Sequence, residues 1–125
     1  MSGCGDTFEG FEVTQGSDWV QDLLLEAPEG TIRPLTGYSA RMQVRKTVQS
    51  SQVEIELTVA NGRIVIDAPA GKVTLKLTAA ETASLVAENR TQRWVCDVEL
   101  VGPTGSVERI PDVAAPFIVH PNVTR

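Results

Sequence analysis

From Val53 to Val59 the chain reads Val-Glu-Ile-Glu-Leu-Thr-Val, with apolar and polar side chains alternating without a break. Successive side chains of a strand point to opposite faces, so this pattern predicts an extended segment with one face in a core and the other in water. Asn61-Gly62 follows, the pair that most readily takes up the positive φ angles of a tight turn. Arg63-Ile64-Val65-Ile66-Asp67 then resumes the extended pattern. The expectation is a β-hairpin over residues 53–67.

The same period recurs on either side. Pro34-Leu35-Thr36-Gly37 is a turn that launches Tyr38 to Arg45, with Ala40, Met42 and Val44 inward and Arg41, Gln43 and Arg45 on a solvated face. After Pro69-Ala70-Gly71, the segment Lys72 to Leu77 places Val73, Leu75 and Leu77 on one side. Arg93 to Val101 turns Trp94, Cys96, Val98 and Leu100 inward, and Gly102-Pro103-Thr104-Gly105 reverses the chain. Ser106 to Ile110 and Pro116 to His120 supply closing strands. Phe8 to Val13 and Asp18 to Leu25 are read as extended, because Gly16 and Pro28-Glu29-Gly30 delimit a run of strand length.

One helix is expected. Thr78-Ala79-Ala80-Glu81 matches a capping box, in which hydroxyl and carboxylate each satisfy a free backbone N–H at a helix start. A helix over residues 79–87 would set Ala83, Val86 and Ala87 against the core. About eight short strands with turn signals between them point to an all-β, antiparallel, immunoglobulin-like β-sandwich. Residues 1–125 form a single domain on this reading, with extended tails at residues 1–7 and 111–125 that are weakly held in an isolated monomer.

Composition narrows the function classes. At 125 residues and 42% hydrophobic content the chain can bury one core. Eleven basic against sixteen acidic residues give a net charge of -5, the reverse of an electrostatic footprint for nucleic acid or an anionic membrane. No window approaches the roughly 18 apolar residues that span a bilayer. Met1 to Asp6 lacks the basic and apolar regions of a signal peptide, so folding in a reducing cytosol is expected. Of the two cysteines, Cys96 reads as a small buried hydrophobe in preference to a partner for Cys4. Neither lies in a metal-ligand spacing.

Candidate chemistry is thin, and the reading assigns no catalytic, cofactor-binding or metal-binding residue. His120 is the sole histidine and reads as a surface or interface residue. Glu54 and Glu56 share one strand face as a carboxylate pair could, but they read as a solubilising outer face. Trp19, Tyr38 and Trp94 are the aromatics that could stack on a ligand, with Trp94 of inward parity. No phosphate-binding or nucleophile-elbow glycine pattern occurs. Asn89-Arg90-Thr91 and Asn122-Val123-Thr124 match the glycosylation pattern and read as coincidences without an export signal.

The order of features carries a resemblance. Gly16-Ser17-Asp18-Trp19 precedes Pro34-Leu35-Thr36-Gly37 and Ala40-Arg41-Met42-Gln43-Val44-Arg45. Then come the Asn61-Gly62 turn, Leu77-Thr78-Ala79-Ala80-Glu81-Thr82-Ala83, the Trp94 to Leu100 strand, Gly105 to Ile110 and a final Asn122-Val123-Thr124-Arg125. This series resembles the small β-sandwich structural proteins of tailed bacteriophages, and is similar to the N-terminal attachment domain of phage upper-baseplate proteins. The resemblance covers most of the chain and implies a virion structural role, with assembly in the host cytoplasm. It transfers no catalytic or ligand residues. Expected partners are other virion structural proteins in a symmetric homo-oligomer, with no nucleic acid and no membrane. The alternatives are a capsid decoration protein clamping shell subunits and, from another class, a carbohydrate-binding module. A hydrolase using Glu54, Glu56 or His120 is the remaining option. Whether Cys4 forms an intermolecular disulfide is left open.

Overall fold

Side chains buried at every second residue define the strands. In a computed structural model, residues 10–25, 27, 29–85 and 90–122 are described, the side chains of residues 111–114 excepted. The described residues form β1 (Phe11–Thr14), β2 (Trp19–Leu24), β3 (Ser39–Arg45), β4 (Ile55–Thr58), β5 (Ile64–Asp67), β6 (Lys72–Leu77), α1 (Ala79–Ala83), β7 (Gln92–Val101) and β8 (Val107–His120). Ala40, Met42 and Val44 of β3, Val73, Leu75 and Leu77 of β6, and Trp94, Cys96, Val98 and Leu100 of β7 are all buried. Their polar alternates face outward, as the period-two pattern requires.

The strands divide into a five-stranded sheet ordered β1-β8-β7-β3-β4 and a three-stranded sheet ordered β2-β6-β5. Packed together they form an immunoglobulin-like sandwich with one continuous core. Trp19 of β2 reaches across, its ring edge-on to Phe11 at 5.5 Å and to Phe117 at 5.7 Å. Such T-shaped contacts align positive ring edges with negative ring faces.

Four expectations change on this frame. Residues 53–67 are not a hairpin: β4 pairs with β3 in one sheet and β5 with β6 in the other, so the chain crosses between sheets at Asn61-Gly62. The side chain of Asn61 explains why. Its Oδ1 accepts from the N–H groups of Thr58 (3.0 Å) and Arg63 (3.1 Å), and its Nδ2 donates to the Glu56 carbonyl at 3.0 Å. These bonds satisfy backbone groups that a hairpin ladder would otherwise pair. Ile55 and Leu57 then bury from one sheet and Ile64 from the other, while Val59 is left exposed at the crossing.

Second, the sandwich is not wholly antiparallel. β1 lies parallel to β8, with Phe11 opposite Phe117 and Val13 opposite Val119. Third, the two closing strands are one strand, and residues 111–120 are no tail. β8 runs unbroken beside both β7 and β1, and Phe117 and Val119 are completely buried. Between Cys96 opposite Ala115 and Val98 opposite Ile110, residues 111–114 stand across from Asp97 alone. The strand thus bends through a long bulge and keeps its apolar face inward afterwards. Residues 1–7, with Cys4, and residues 123–125 lie outside the described residues.

Fourth, α1 is shorter than expected and buries different residues. The capping box forms: Glu81 N–H donates to Thr78 Oγ1 at 3.2 Å, and Thr78 N–H to Glu81 Oε1 at 2.8 Å. Ala83, however, is exposed, and Thr82 is the buried residue. Its hydroxyl donates to the carbonyl of Ser17 at 2.8 Å, which lets a polar side chain sit inside. Leu85 takes the core position beyond the helix. Val86 and Ala87 lie outside the described residues.

Candidate functional site

Side chains able to do chemistry gather at three places among the described residues. The first is the outer face of the five-stranded sheet, where the outward residues of β3 and β7 meet β8. Arg41 pairs with Glu99 at 2.9 Å, and Arg109 pairs with Glu99 at 2.9 Å and with Asp97 at 3.5 Å. Gln43 donates to Glu56 at 2.9 Å and accepts from Arg45 at 3.0 Å. A shallow open cavity of about 210 Å³ lies over Arg41, Gln43, Arg45 and Arg109. Opposite charges already neutralise one another here, and the arginines are half exposed, so each pair contributes little to stability. Glu56 is thus a hydrogen-bond acceptor for Gln43, and Glu54 immediately precedes β4, where its N–H donates to Val44 O at 2.7 Å.

Beneath that face Cys96 is a free, buried thiol. Burial, aided by the neighbouring Asp97 carboxylate, pushes its pKa up to about 12. Thiolate is the reactive form, so native Cys96 should alkylate at least about a hundredfold more slowly than in the unfolded chain. Peptide-resolved mass spectrometry after iodoacetamide treatment, with and without urea, measures this separately from Cys4. Equal labelling in both conditions would mean that the β7 core position is open.

The second place ties the β2–β3 connection to β8. Both terminal guanidinium nitrogens of Arg33 bond the carboxylate of Glu108, Nη1 to Oε2 at 3.1 Å and Nη2 to Oε1. Nη2 also donates to the Tyr38 hydroxyl at 3.2 Å, with the guanidinium 5.5 Å from the centre of that ring. Such a two-pronged contact fixes orientation as well as charge. The hydrogen bond from Arg33 holds the Glu108 carboxyl below the usual carboxylate range, and Glu108, then Tyr38, raises Arg33 further. A carboxyl with a lower native than unfolded pKa adds stability at neutral pH that is lost as pH falls through the native titration. Glu108→Gln should therefore flatten the acid side of the stability curve. At neutral pH its cost stays below about 1 kcal/mol, because both groups are partly exposed. Urea midpoints from pH 7 to pH 3 measure the difference. An unchanged acid limb would remove the pair from the stability account.

The third place joins three elements around the single histidine. His120 Nε2 lies 2.8 Å from Glu12 Oε1, and its Nδ1 lies 3.2 Å from Thr91 Oγ1. Hydroxyl, imidazole and carboxylate in a row are the groups of a nucleophilic triad. Glu12 and Thr91 are exposed and His120 is half-buried at the end of β8, and neither cavity described above or below borders them. A triad also needs donors aimed at a developing oxyanion and a site that excludes water. The arrangement is best described as a clasp across the parallel β1–β8 pair. Sequence reading singled out His120 but missed Glu12 and Thr91, which no local motif links to it.

The remaining candidates are distributed without a common site. Trp19 and Trp94 are core residues, and Tyr38 is half-buried beneath Arg33. No cluster of three or more His, Cys, Asp or Glu side chains with metal-binding proximity occurs among the described residues. No helix there is long and apolar enough to cross a membrane. A second open cavity lies between β2, the sheet crossing and α1, bordered by Val20, Arg63, Lys76 and Glu81. Asn89 lies outside the described residues.

No protein-family model matches this sequence, and no curated protein does. Among solved structures, one of murine CRIg is similar to this chain at 16% identity, with a TM-score of 0.44, covering 92% of this chain and 93% of that one.

Proposed function

We propose that this chain is a non-enzymatic structural component of a tailed-bacteriophage particle, an assembly or adaptor subunit of the tail, baseplate or neck that binds other virion proteins. The observation that carries the reading is the ordered series of motifs from Gly16 to Arg125, which resembles phage β-sandwich proteins along most of the chain. The physical character of the domain supports it. Many of its outer charged side chains are paired with one another, Phe11, Trp19, Trp94 and Phe117 are inside, and it keeps exposed backbone at a sheet edge. A rigid sandwich of this kind suits repetition around a symmetric particle, where edges and surfaces join neighbouring subunits.

Mass spectrometry of purified particles from the phage or prophage carrying the coding sequence tests the proposal. Stoichiometric recovery of the chain at a few to a few dozen copies per particle is expected. Hundreds of copies would relocate it to the shell as a decoration protein, and absence from particles would overturn the virion role.

A further inference from the structure

The sheet edges of this sandwich are unequally protected, and the inequality singles out β2. The bond from Leu25 N–H to Gly71 O at 2.8 Å extends the β2–β6 ladder and fixes its phase. In an antiparallel pair the residues that bond across alternate with residues that do not. Trp19, Gln21 and Leu23 therefore bond to β6, whereas the N–H and C=O groups of Val20, Asp22 and Leu24 point away from it. A contact of 3.5 Å from Gln21 Nε2 to the Asp22 carbonyl is too long to close this edge. On the outer face above it, Val20 is 64% and Leu24 59% exposed, with Asp22 exposed between them.

The other edges are shorter or blocked. On β4, Asn61 Nδ2 (3.0 Å) and Arg63 Nη1 (2.9 Å) both cap the Glu56 carbonyl, and Asn61 Oδ1 takes the Thr58 N–H. Lys76 N–H donates to Arg63 O at 2.9 Å, so β5 turns only Ile64 and Ile66 toward its free edge, and Ile64 is buried. β1 has four residues, and Thr14 already accepts from Ser17. An open, unpaired edge flanked by exposed apolar side chains is a template for another strand.

We infer that the free edge of β2 docks an extended segment of a partner protein whose side chains read apolar, basic, apolar opposite Val20, Asp22 and Leu24. Two copies of this chain are poor occupants. Antiparallel self-pairing centred on β2 sets Asp22 against Asp22, and like charges directly opposite destabilise a ladder. The net charge of -5 adds to that repulsion. Within the sheet, Lys76 stands opposite Val20 and Lys72 opposite Leu24, while Asp22 faces Thr74, whose hydroxyl donates to it at 2.7 Å. The carboxylate thus has a hydroxyl on one side and an open strand position on the other, which a lysine or arginine complements. This deepens the assembly reading by naming its surface. The two fail separately, since absence from virions would leave the edge's binding intact.

The test uses the full chain, labelled with nitrogen-15, and the peptide acetyl-Thr-Val-Thr-Lys-Thr-Val-Thr-amide. The amides of Val20, Asp22 and Leu24 should shift and gain exchange protection, while those of Gln21 and Leu23, already bonded, change little. Placing Glu at the centre of the peptide, or making Asp22→Lys in the protein, should weaken binding about tenfold or more. Combining the two changes should restore it, which separates charge pairing from misfolding, and Asp22→Asn should fall between. No change at the three even-numbered amides at millimolar peptide would overturn the proposal. So would affinity indifferent to the central charge, or self-association of the protein through β2.

Discussion

Phe117→Ala is expected to remove about 3–5 kcal/mol of stability, the range for emptying a large aromatic position that surrounding atoms cannot refill. Phe117 is completely buried, sits opposite Phe11 on one neighbour strand and Trp94 on the other, and meets Trp19 edge-on. Its loss strips contacts from both sheets at once. For a domain with roughly 5–15 kcal/mol in all, such a loss is close to unfolding. Urea denaturation followed by tryptophan fluorescence reads the effect, since Trp19 and Trp94 both report on the core. A cost under about 1 kcal/mol, the usual bound for surface changes, would mean that the C-terminal strand is held as loosely as its prolines suggest.

Gly71→Ala should cost about 2–5 kcal/mol, by a different mechanism. Gly71 has a φ of +62°, which strains any residue with a Cβ by about 1–2 kcal/mol. A methyl there would lie 2.6 Å from the Arg33 carbonyl oxygen and 2.9 Å from that of Leu25, so two stretches of backbone must move. Overpacking of that kind adds about 1–3 kcal/mol. Gly62 is the internal control, because its φ is +79° but nothing lies within 4 Å of the added carbon. Gly62→Ala should show the conformational strain without the clash. Equal costs at the two positions would contradict the close approach of the β5–β6 turn to the β2–β3 connection.

Much of the fold was legible where one face is wet and one is dry. β3, β6 and β7 alternate because their outer faces meet solvent, and the inward residues expected there are the buried ones. The cap at Thr78 was legible because a capping box is a local arrangement of two side chains. Pairing was not legible, because it depends on which distant strand closes the ladder. Asn61-Gly62 announces a turn, yet the bonds from Asn61 to Glu56, Thr58 and Arg63 send the chain to the other sheet. The parallel β1–β8 contact joins residues about a hundred apart and leaves no local trace. Pro111 and Pro116 disguised a strand that carries its apolar face through a bulge.

The same reasoning explains why the candidate surface was hidden. In Trp19 to Leu24 both parities carry apolar residues, so alternation alone did not say which face is buried, and only the flanking Gly16 and Pro28-Glu29-Gly30 favoured an extended segment. One parity packs against the core, and the other, Val20 and Leu24 around Asp22, lies beside backbone that pairs with no other strand among the described residues. An ambiguous pattern in sequence is here an edge with two apolar faces, one used within the domain and one exposed. The clasp of Glu12, His120 and Thr91 was invisible for the reason that hid β1–β8, since its members come from different strands.

A reconstruction of the intact phage particle by electron cryomicroscopy tests the central claim most directly. The account predicts density for this sandwich at symmetry-related positions in the tail, baseplate or neck, with the β2 edge covered by an extended segment of a neighbouring protein. A particle in which no such density occurs, with the chain absent from its protein content, would contradict it.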